Sequence, residues 1–184
     1  MTRPLTAIAV RDLVIEPVQL GPDSALHAFV PGSSFQHALR VRLPKAPGTA
    51  LDVYRDVASC VPGWFDALMR VRNLGMRLLG MKDLGSLRAV DVSMPVAPGQ
   101  RLGIFTVLEI SDETLVLGDS DRHLEVRLLL QVRCDGSGWS LENATVVRLH
   151  NGIGRIYMLP VAPVHRWIMP LLLRRYVRRL AATV

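Results

Sequence analysis

The sequence predicts an α+β protein in which an antiparallel sheet grips a long C-terminal helix. Three observations predict this class: the hydrophobic spacing is helical from residue 49 to 79, has the period of two of β-strands from 88 to 150, and is helical again over a final segment of about 20 residues. Helices and strands that come in runs, rather than in strict alternation, are typical of α+β domains. The last helix must bury its apolar stripe, and the sheet is the only large partner that the pattern offers.

The composition is that of one globular domain. The chain has 184 residues, of which 49% are hydrophobic and 21% are charged, so it is long enough to bury a core. No apolar run reaches the roughly 20 residues that cross a bilayer, and the N-terminal apolar stretch is too short for a signal peptide. The two cysteines, Cys60 and Cys134, are too far apart in sequence to form a zinc knuckle. We therefore expect a cytoplasmic protein.

The formal charge is +6, and its position is more informative than its size. Residues 151–184 hold six Arg and no Asp or Glu, so the excess lies on one predicted helix. Nucleic-acid-binding proteins more often distribute basic residues among exposed aromatic residues and glycines, and we expect no nucleic-acid partner. The arginines form either a solvated helix face or a basic amphipathic surface for an anionic membrane or an acidic partner.

The N-terminal half of the chain predicts an arm, a strand and two helices. Residues 1–34 are rich in Pro and Gly and predict an irregular arm with at most short strands, whereas 35–184 form a single domain. Residues 35–43 alternate between apolar and polar side chains, which predicts the first main strand. Thr49 is the expected N-cap of a helix, and a second helix runs from about residue 63 to 79.

The C-terminal half predicts a series of strands and a final helix. Within that helix, apolar residues recur at helical spacing, with paired arginines on the other side. The predicted strands are 88–94, 102–110, 113–118, 121–134 and 139–150, and the helix stripe comprises Met169, Leu172, Leu173, Tyr176, Val177 and Leu180.

The last two strands allow a prediction of register. Their apolar residues share one face only if the numbers of paired residues sum to an odd value, and the turn Asp135-Gly136-Ser137-Gly138 gives 273. His123 is then opposite His150, and Glu125 is opposite Arg148, on the face opposite the apolar one. The simplest interpretation is a solvent-facing ladder with one ion pair between Glu125 and Arg148.

Two other interpretations of these polar residues remain open. His123, Glu125 and His150 supply two imidazoles and a carboxylate, the ligand set of a non-haem iron site, although Arg148 competes for Glu125. Alternatively, they form a hydrogen-bonded cluster that binds a polar group or closes the mouth of a cavity. No motif predicts a catalytic residue or a cofactor.

Several weaker signals favour structural roles. Gly152-Ile153-Gly154 lacks the third glycine and the downstream acid of a dinucleotide fingerprint, so it predicts a turn between strand and helix. His27, His37 and His165 are isolated in the sequence, which is more typical of surface or core histidines than of ligands.

The combination of motifs resembles an uncharacterised bacterial family, domain of unknown function 2867. The resemblance covers about Phe35 to Arg179, and it implies a helix-grip fold like that of START and Bet v 1 proteins (SRPBCC), a curved antiparallel sheet wrapped around a long C-terminal helix. Such folds commonly enclose an apolar cavity. The family supplies no established activity. The motifs that carry the resemblance are Gly103-Ile104-Phe105, Val107-Leu108-Glu109, Leu117-Gly118-Asp119, Asp121-Arg122-His123-Leu124, Val146-Val147-Arg148-Leu149-His150-Asn151 and 154–165.

Three hypotheses about function follow. The first is a binding protein for a small, largely apolar ligand held between the sheet and the C-terminal helix, with polar groups at the mouth that orient it. The second is an enzyme that uses the cluster of His123, Glu125 and His150, with or without a metal. The third is an interaction module that docks its basic helix on an acidic partner or a membrane surface. For the first, the candidate ligand-binding residues are Trp64, Leu68, Phe105, His123, Leu128, His150, Asn151, Tyr157, Trp167 and Tyr176.

Overall fold

The computed structural model describes residues 13–78 and 96–182. Seven strands form one curved, unclosed antiparallel sheet in the order β1-β2-β7-β6-β5-β4-β3, which confirms the predicted α+β class. The strands are β1 (Ile15–Pro17), β2 (Phe35–Arg42), β3 (Arg101–Leu102), β4 (Phe105–Ile110), β5 (Thr114–Ser120), β6 (Leu124–Asp135) and β7 (Gly138–Leu149), and the helices are α1 (Ala50–Ser59), α2 (Phe65–Leu78) and α3 (Gly152–Ala182).

The helix α1 begins where its cap predicts. The Thr49 hydroxyl oxygen accepts a hydrogen bond from the Asp52 amide at 3.2 Å, and the Asp52 carboxylate accepts one from the Thr49 amide at 3.0 Å. This reciprocal capping box satisfies amides that have no partner within the helix.

The hairpin β6–β7 has the predicted register. Every pair sums to 273, from Leu124 with Leu149 to Asp135 with Gly138, and Glu125 is opposite Arg148. The predicted single strand 102–110 is wrong in one respect, because Gly103 adopts a φ of +63° and the chain reverses there, which separates β3 from β4. The predicted strand 88–94 lies outside the described residues.

The helix α3 is longer than the sequence pattern predicts. It runs for 31 residues and includes Pro160, Pro163 and Pro170, each of which removes one backbone hydrogen bond. The predicted glycine turn is wrong, because the helix begins at Gly152. A Cβ on Gly154 would collide with the carbonyl oxygen of His123, so this glycine lets the first turn lie directly against the sheet.

The two faces of the sheet are covered differently. We call the side that bears Leu39, Val41 and Leu130 the helix face, because Ile168 and Leu172 of α3 pack into the same core. We call the opposite side the back face. Residues 18–30 cover part of it, so the prediction of a solvent-facing ladder there is wrong. The back-face core comprises Leu26, Phe29, Ala38, Val116, Leu129, Ala144 and Val146.

Candidate functional site

A polar cluster lies on the helix face between the sheet and α3. His37 on β2 is directly opposite Thr145 on β7, and both lie on the apolar face because strand side chains alternate. His165 reaches them from α3. Its Nε2 lies 3.1 Å from the Thr145 hydroxyl oxygen, and its Nδ1 lies 3.2 Å from Nδ1 of His37. We call these three residues the histidine cluster.

The hydrogen bonding of the histidine cluster leaves one ring nitrogen available. Two facing Nδ1 atoms can share only one hydrogen, so one imidazole donates and the other accepts. The Thr145 hydroxyl adapts to either arrangement, because it both donates and accepts. In the described part of the chain, Nε2 of His37 has no hydrogen-bond partner. That nitrogen is therefore free to donate to, or accept from, a bound molecule.

Both imidazoles are held in the neutral form. Burial, together with smaller contributions from the nearby His37 and Arg166, lowers the pKa of His165 to about 4. Burial also lowers the pKa of His37, with a contribution from Arg166. Removing a charged ring from water is unfavourable, and no carboxylate contributes to either shift. The cluster thus presents uncharged hydrogen-bonding groups at neutral pH.

A half-buried apolar area of the sheet, formed by Val126 and Leu128 and called the recess below, adjoins the histidine cluster. Val126 and Leu128 lie on β6 near the middle of the sheet, yet both are only half-buried, whereas Leu129 on the back face of the same strand is fully buried. Leu128 is directly opposite Thr145, so the floor of the recess touches the cluster. Val126 packs against both the core below the C-terminal half of α3 and a smaller core around Met158, and Leu128 packs against the first of these.

A carboxylate lies on the other side of the recess. Asp119 on β5 is opposite Val126, on the helix face, and its side chain is 10% exposed. Arg101 lies 3.2 Å from its Oδ1 and also donates to the carbonyl of Ile104 at 2.8 Å. The charge of Asp119 is thereby balanced by that of Arg101. The recess has this ion pair on one side and the neutral histidine pair on the other.

Two buried tyrosine hydroxyls in the main core lack partners. The hydroxyls of Tyr54 on α1 and Tyr176 on α3 make no hydrogen bond within the described residues. Burial raises the pKa of Tyr54 to about 12 and raises that of Tyr176 as well. Since an unsatisfied buried hydroxyl is unfavourable, both groups would gain from water or from a polar atom of a ligand.

The structure divides the predicted ligand-binding residues into groups. Phe105 and Tyr176 belong to the main core between the sheet and the helices, and the half-buried Leu68 and Leu128 pack against it. Tyr157 is half-buried near Met158, and its hydroxyl accepts a hydrogen bond from Arg72 at 2.9 Å.

The two predicted tryptophans lie elsewhere. Trp64 is 45% exposed and Trp167 is 61% exposed, and their rings contact each other with centroids 5.5 Å apart. Both indoles are thus accessible to solvent rather than enclosed between the sheet and α3, because Trp167 projects from the side of α3 opposite His165.

The polar residues predicted at the cavity mouth lie where the hairpin β6–β7 meets the start of α3. Asn151 caps the helix, since its Oδ1 accepts hydrogen bonds from the amides of Ile153 and Gly154 at 3.1 and 3.2 Å. The same oxygen lies 3.1 Å from Nδ1 of the buried His123. His150 is exposed, with Nδ1 3.2 Å from the carbonyl oxygen of Asp121. These contacts attach the helix to the end of the hairpin.

The predicted cluster of two histidines and a glutamate does not assemble. Glu125 accepts hydrogen bonds from Arg127, and not from Arg148 as predicted. Arg148 donates instead to the carbonyls of residues 28, 29 and 31, because the N-terminal arm covers the back face. Across 13–78 and 96–182, no three His, Cys, Asp or Glu side chains are arranged to hold a metal ion.

The comparisons with known proteins identify a family. The family model described as "Protein of unknown function (DUF2867)" matches residues 29–172. The chain belongs to this family. The match spans β2 to β7 and most of α3, so the histidine cluster lies within the DUF2867 region. Neither the search of the curated proteins nor that of the solved structures returned a match.

The contact between His37 and His165 does not follow from the isolated positions of the two histidines in the sequence. They are 128 positions apart in the chain. One signal was available: His37 occupies an apolar position of its strand, between Phe35 and Leu39. His165 likewise lies three helical turns before Tyr176, on the same stripe. A polar residue at a core position of two elements predicts a buried polar contact.

Proposed function

We propose that this protein binds a small, largely apolar molecule in the recess between the sheet and α3. The observation that carries the proposal is that His37, whose Nε2 has no partner among the described residues, and the half-buried Leu128 both lie directly opposite Thr145. Ligand sites are commonly apolar, with a few polar groups that fix orientation. The recess and the histidine cluster supply these two parts.

The neutral histidine cluster favours an uncharged polar group on the ligand. A hydroxyl can bond to His37 in either tautomer of the pair. A carbonyl bonds when Nε2 of His37 carries the hydrogen, and an amide N–H bonds when that nitrogen is the acceptor. A charged group would lose its hydration without an opposite charge at this rim, since Asp119 and Arg101 already neutralise each other. The ligand class is therefore an apolar molecule with a neutral polar end.

The family resemblance supports the same proposal. A helix-grip relationship to START and Bet v 1 proteins would make this space the counterpart of their apolar cavity. The curved sheet and long C-terminal helix of the DUF2867 chain are compatible with that relationship. We place the protein in the cytoplasm in this proposal.

Native mass spectrometry of the freshly purified protein is the first test. We expect an additional organic mass that departs on denaturation, and its size would indicate the class of ligand. A stoichiometric metal increment instead would favour the enzyme hypothesis, and a bare polypeptide would require the direct binding test.

The direct test uses the neutral apolar dye N-phenyl-1-naphthylamine. Leu128→Trp fills the recess with a larger side chain and should reduce dye binding by roughly tenfold, since about 1.4 kcal/mol of contact is lost. Leu108→Trp is the matched control, because Leu108 is exposed on β4. Equal dye binding by both variants, with unchanged thermal stability, would overturn the recess as the site.

A further inference from the structure

The exposed apolar side chains are concentrated on two helices. In the described residues, eight large hydrophobic side chains are exposed, and six of them lie on α3, on α2 or immediately before α2. Leu159 is the most exposed, at 73%. Solitary exposed apolar residues are ordinary, but a group confined to one surface indicates an interaction site. We call this group the outer helix surface: Trp64, Val71, Leu74, Ile156, Leu159 and Trp167.

The two helices present these residues side by side. Trp64 contacts Trp167 at one end, and Arg72 donates to the hydroxyl of Tyr157 at 2.9 Å near the other end. The contacts run in opposite directions along the two helices, so α2 and α3 are antiparallel neighbours. On α3, Ile156, Leu159 and Trp167 share one stripe by helical spacing, opposite the stripe of His165 and Tyr176.

The arginines of α3 divide into two groups. Arg175 donates to the carbonyl of Cys60 at 3.3 Å, and Arg179 donates to the Ser59 hydroxyl at 2.6 Å, so these two hold the C-terminal end of α1. Arg174 and Arg178 are exposed and make no hydrogen bond or ion pair with any described residue. They lie about two and three turns beyond Trp167 on its own stripe.

We propose that the outer helix surface docks on the surface of an anionic lipid bilayer, with α3 lying in the membrane plane. Tryptophan favours the interface between lipid and water, and arginine binds lipid phosphates with paired hydrogen bonds. The described part of α3 carries no acidic side chain that would be repelled. The helix lies flat because its other side, including Leu173 and Tyr176, is buried against the core.

Because α3 is long, docking on the membrane surface has to be distinguished from insertion of the helix across the bilayer. By length and composition alone, α3 is long and apolar enough to cross a membrane, and 22% of its most apolar segment is buried. Crossing would remove Tyr176 and Leu173 from the core and would leave the sheet uncovered. Docking on the surface keeps these contacts.

Vesicle co-sedimentation of the full chain tests the proposal. Vesicles of phosphatidylcholine alone are compared with vesicles that also contain phosphatidylglycerol, at low and high salt. We expect salt-sensitive binding to the anionic vesicles only. Arg174→Gln with Arg178→Gln should weaken it by roughly tenfold or more, since each arginine near the surface contributes about fivefold. Leu159→Glu should abolish it.

Matched variants on the sheet control for charge and apolar area. Arg42→Gln with Arg133→Gln removes the same charge from residues away from α3, and Val14→Glu introduces the same acid at a residue 59% exposed near β1. These variants should bind like the unchanged protein. Circular dichroism verifies that each variant keeps its fold.

The alternative outcomes each overturn the proposal. Binding that resists alkaline carbonate and is insensitive to salt would mean that α3 inserts across the bilayer. Binding to neither type of vesicle would mean that the surface is covered by protein. An equal loss in the sheet variants would mean that net charge alone drives adsorption.

Discussion

The two faces of the sheet share the same strands but are completed in different ways. On the back face, the ring of Phe29 is 2% exposed, and the guanidinium groups of Arg127 and Arg148 each lie 4.1 Å from its centroid. Arg148 also donates to backbone carbonyls of the arm, whereas the buried Nε of Arg133 on this face has no partner within the described residues. The arm functions as a local cover that stabilises the sheet.

The helix face keeps groups without partners. Within the described residues, the buried hydroxyls of Tyr54 and Tyr176 have no hydrogen-bond partner, and Val126 and Leu128 remain half-buried. An unsatisfied buried hydroxyl is unfavourable unless water or another polar atom bonds to it. The back face is thus covered by residues 18–30 of the arm, whereas two apolar residues near the middle of the helix face stay half-buried.

The largest effect is expected from removing the back-face cover. Phe29→Ala should lower the free energy of unfolding by about 3–5 kcal/mol, because a fully buried aromatic ring is lost together with its contacts to two arginines. Urea unfolding measures the change. His27→Ala, at an exposed neighbour, should change stability little. A loss below about 1 kcal/mol for Phe29→Ala would show that the arm does not close this face.

Lowering the pH is expected to reduce the free energy of unfolding by a smaller amount. The folded-state pKa of His165 is about 4, below its ordinary value of 6.5, so between these values the unfolded chain binds more protons. This contribution is fully present above pH 6.5 and is lost as the pH falls towards 4. We expect a loss on the order of 2 kcal/mol, since the half-buried ring is partly screened by solvent.

A variant separates this titration from that of the carboxylates. His165→Gln keeps a polar group near Thr145 but cannot become charged. Its unfolding free energy should vary less with pH across this window than that of the unchanged protein. Parallel curves for the two proteins would contradict a buried neutral His165.

The cap of α3 should contribute less. Asn151→Ala should cost about 1 kcal/mol, because the amides of Ile153 and Gly154 lose their acceptor. Asn151→Asp keeps an acceptor at the N-terminus and should retain most of the stability. Thermal unfolding compares the two variants. Equal losses of stability would show that the hydrogen bonds of the cap do not cause the loss in Asn151→Ala.

Removing one hydroxyl on the helix face is expected to leave stability unchanged or to increase it, unlike the substitutions above. Tyr176→Phe should leave stability unchanged or raise it by about 1 kcal/mol, since the removed hydroxyl has no partner in the described residues. Calorimetry of ligand-free protein measures this. A loss above about 1 kcal/mol would mean that the hydroxyl is satisfied by water.

The smallest effect is expected from the ion pair on the back face. Glu125→Gln should cost at most about 0.5 kcal/mol, because Glu125 and Arg127 are partly exposed and solvent screens them. Urea unfolding at low and high salt measures it, and a cost above about 1 kcal/mol would show that the pair is part of the closure around Phe29.

Much of the fold followed from local patterns. The register of β6 with β7 could be predicted because one slip would move every apolar side chain to the wrong face. Thr49 could be predicted as a cap because its capping partner, Asp52, is three residues away. The 31-residue length of α3 could not be predicted, because prolines ordinarily end a helix. In this protein, tertiary packing outweighs that tendency.

The site was less predictable than the fold. His123 and His150 were correctly placed at the end of the hairpin, but Asn151 and the arm determine what surrounds them. The sequence predicts that Arg148 pairs with Glu125, but in the structure its guanidinium lies over the ring of Phe29. Phe29 belongs to an irregular arm, which has no periodic pattern from which this contact could be predicted.

The class of the protein, the hairpin register and the apolar stripe of the final helix could be predicted from the chain, because each depends on neighbours within a few residues or across one turn. The contact between His37 and His165, and the pairing of Trp64 with Trp167 at the surface, could be seen only in the folded protein. These contacts join elements far apart in the chain. Their formation depends on how α3 lies across the sheet, which no local pattern specifies.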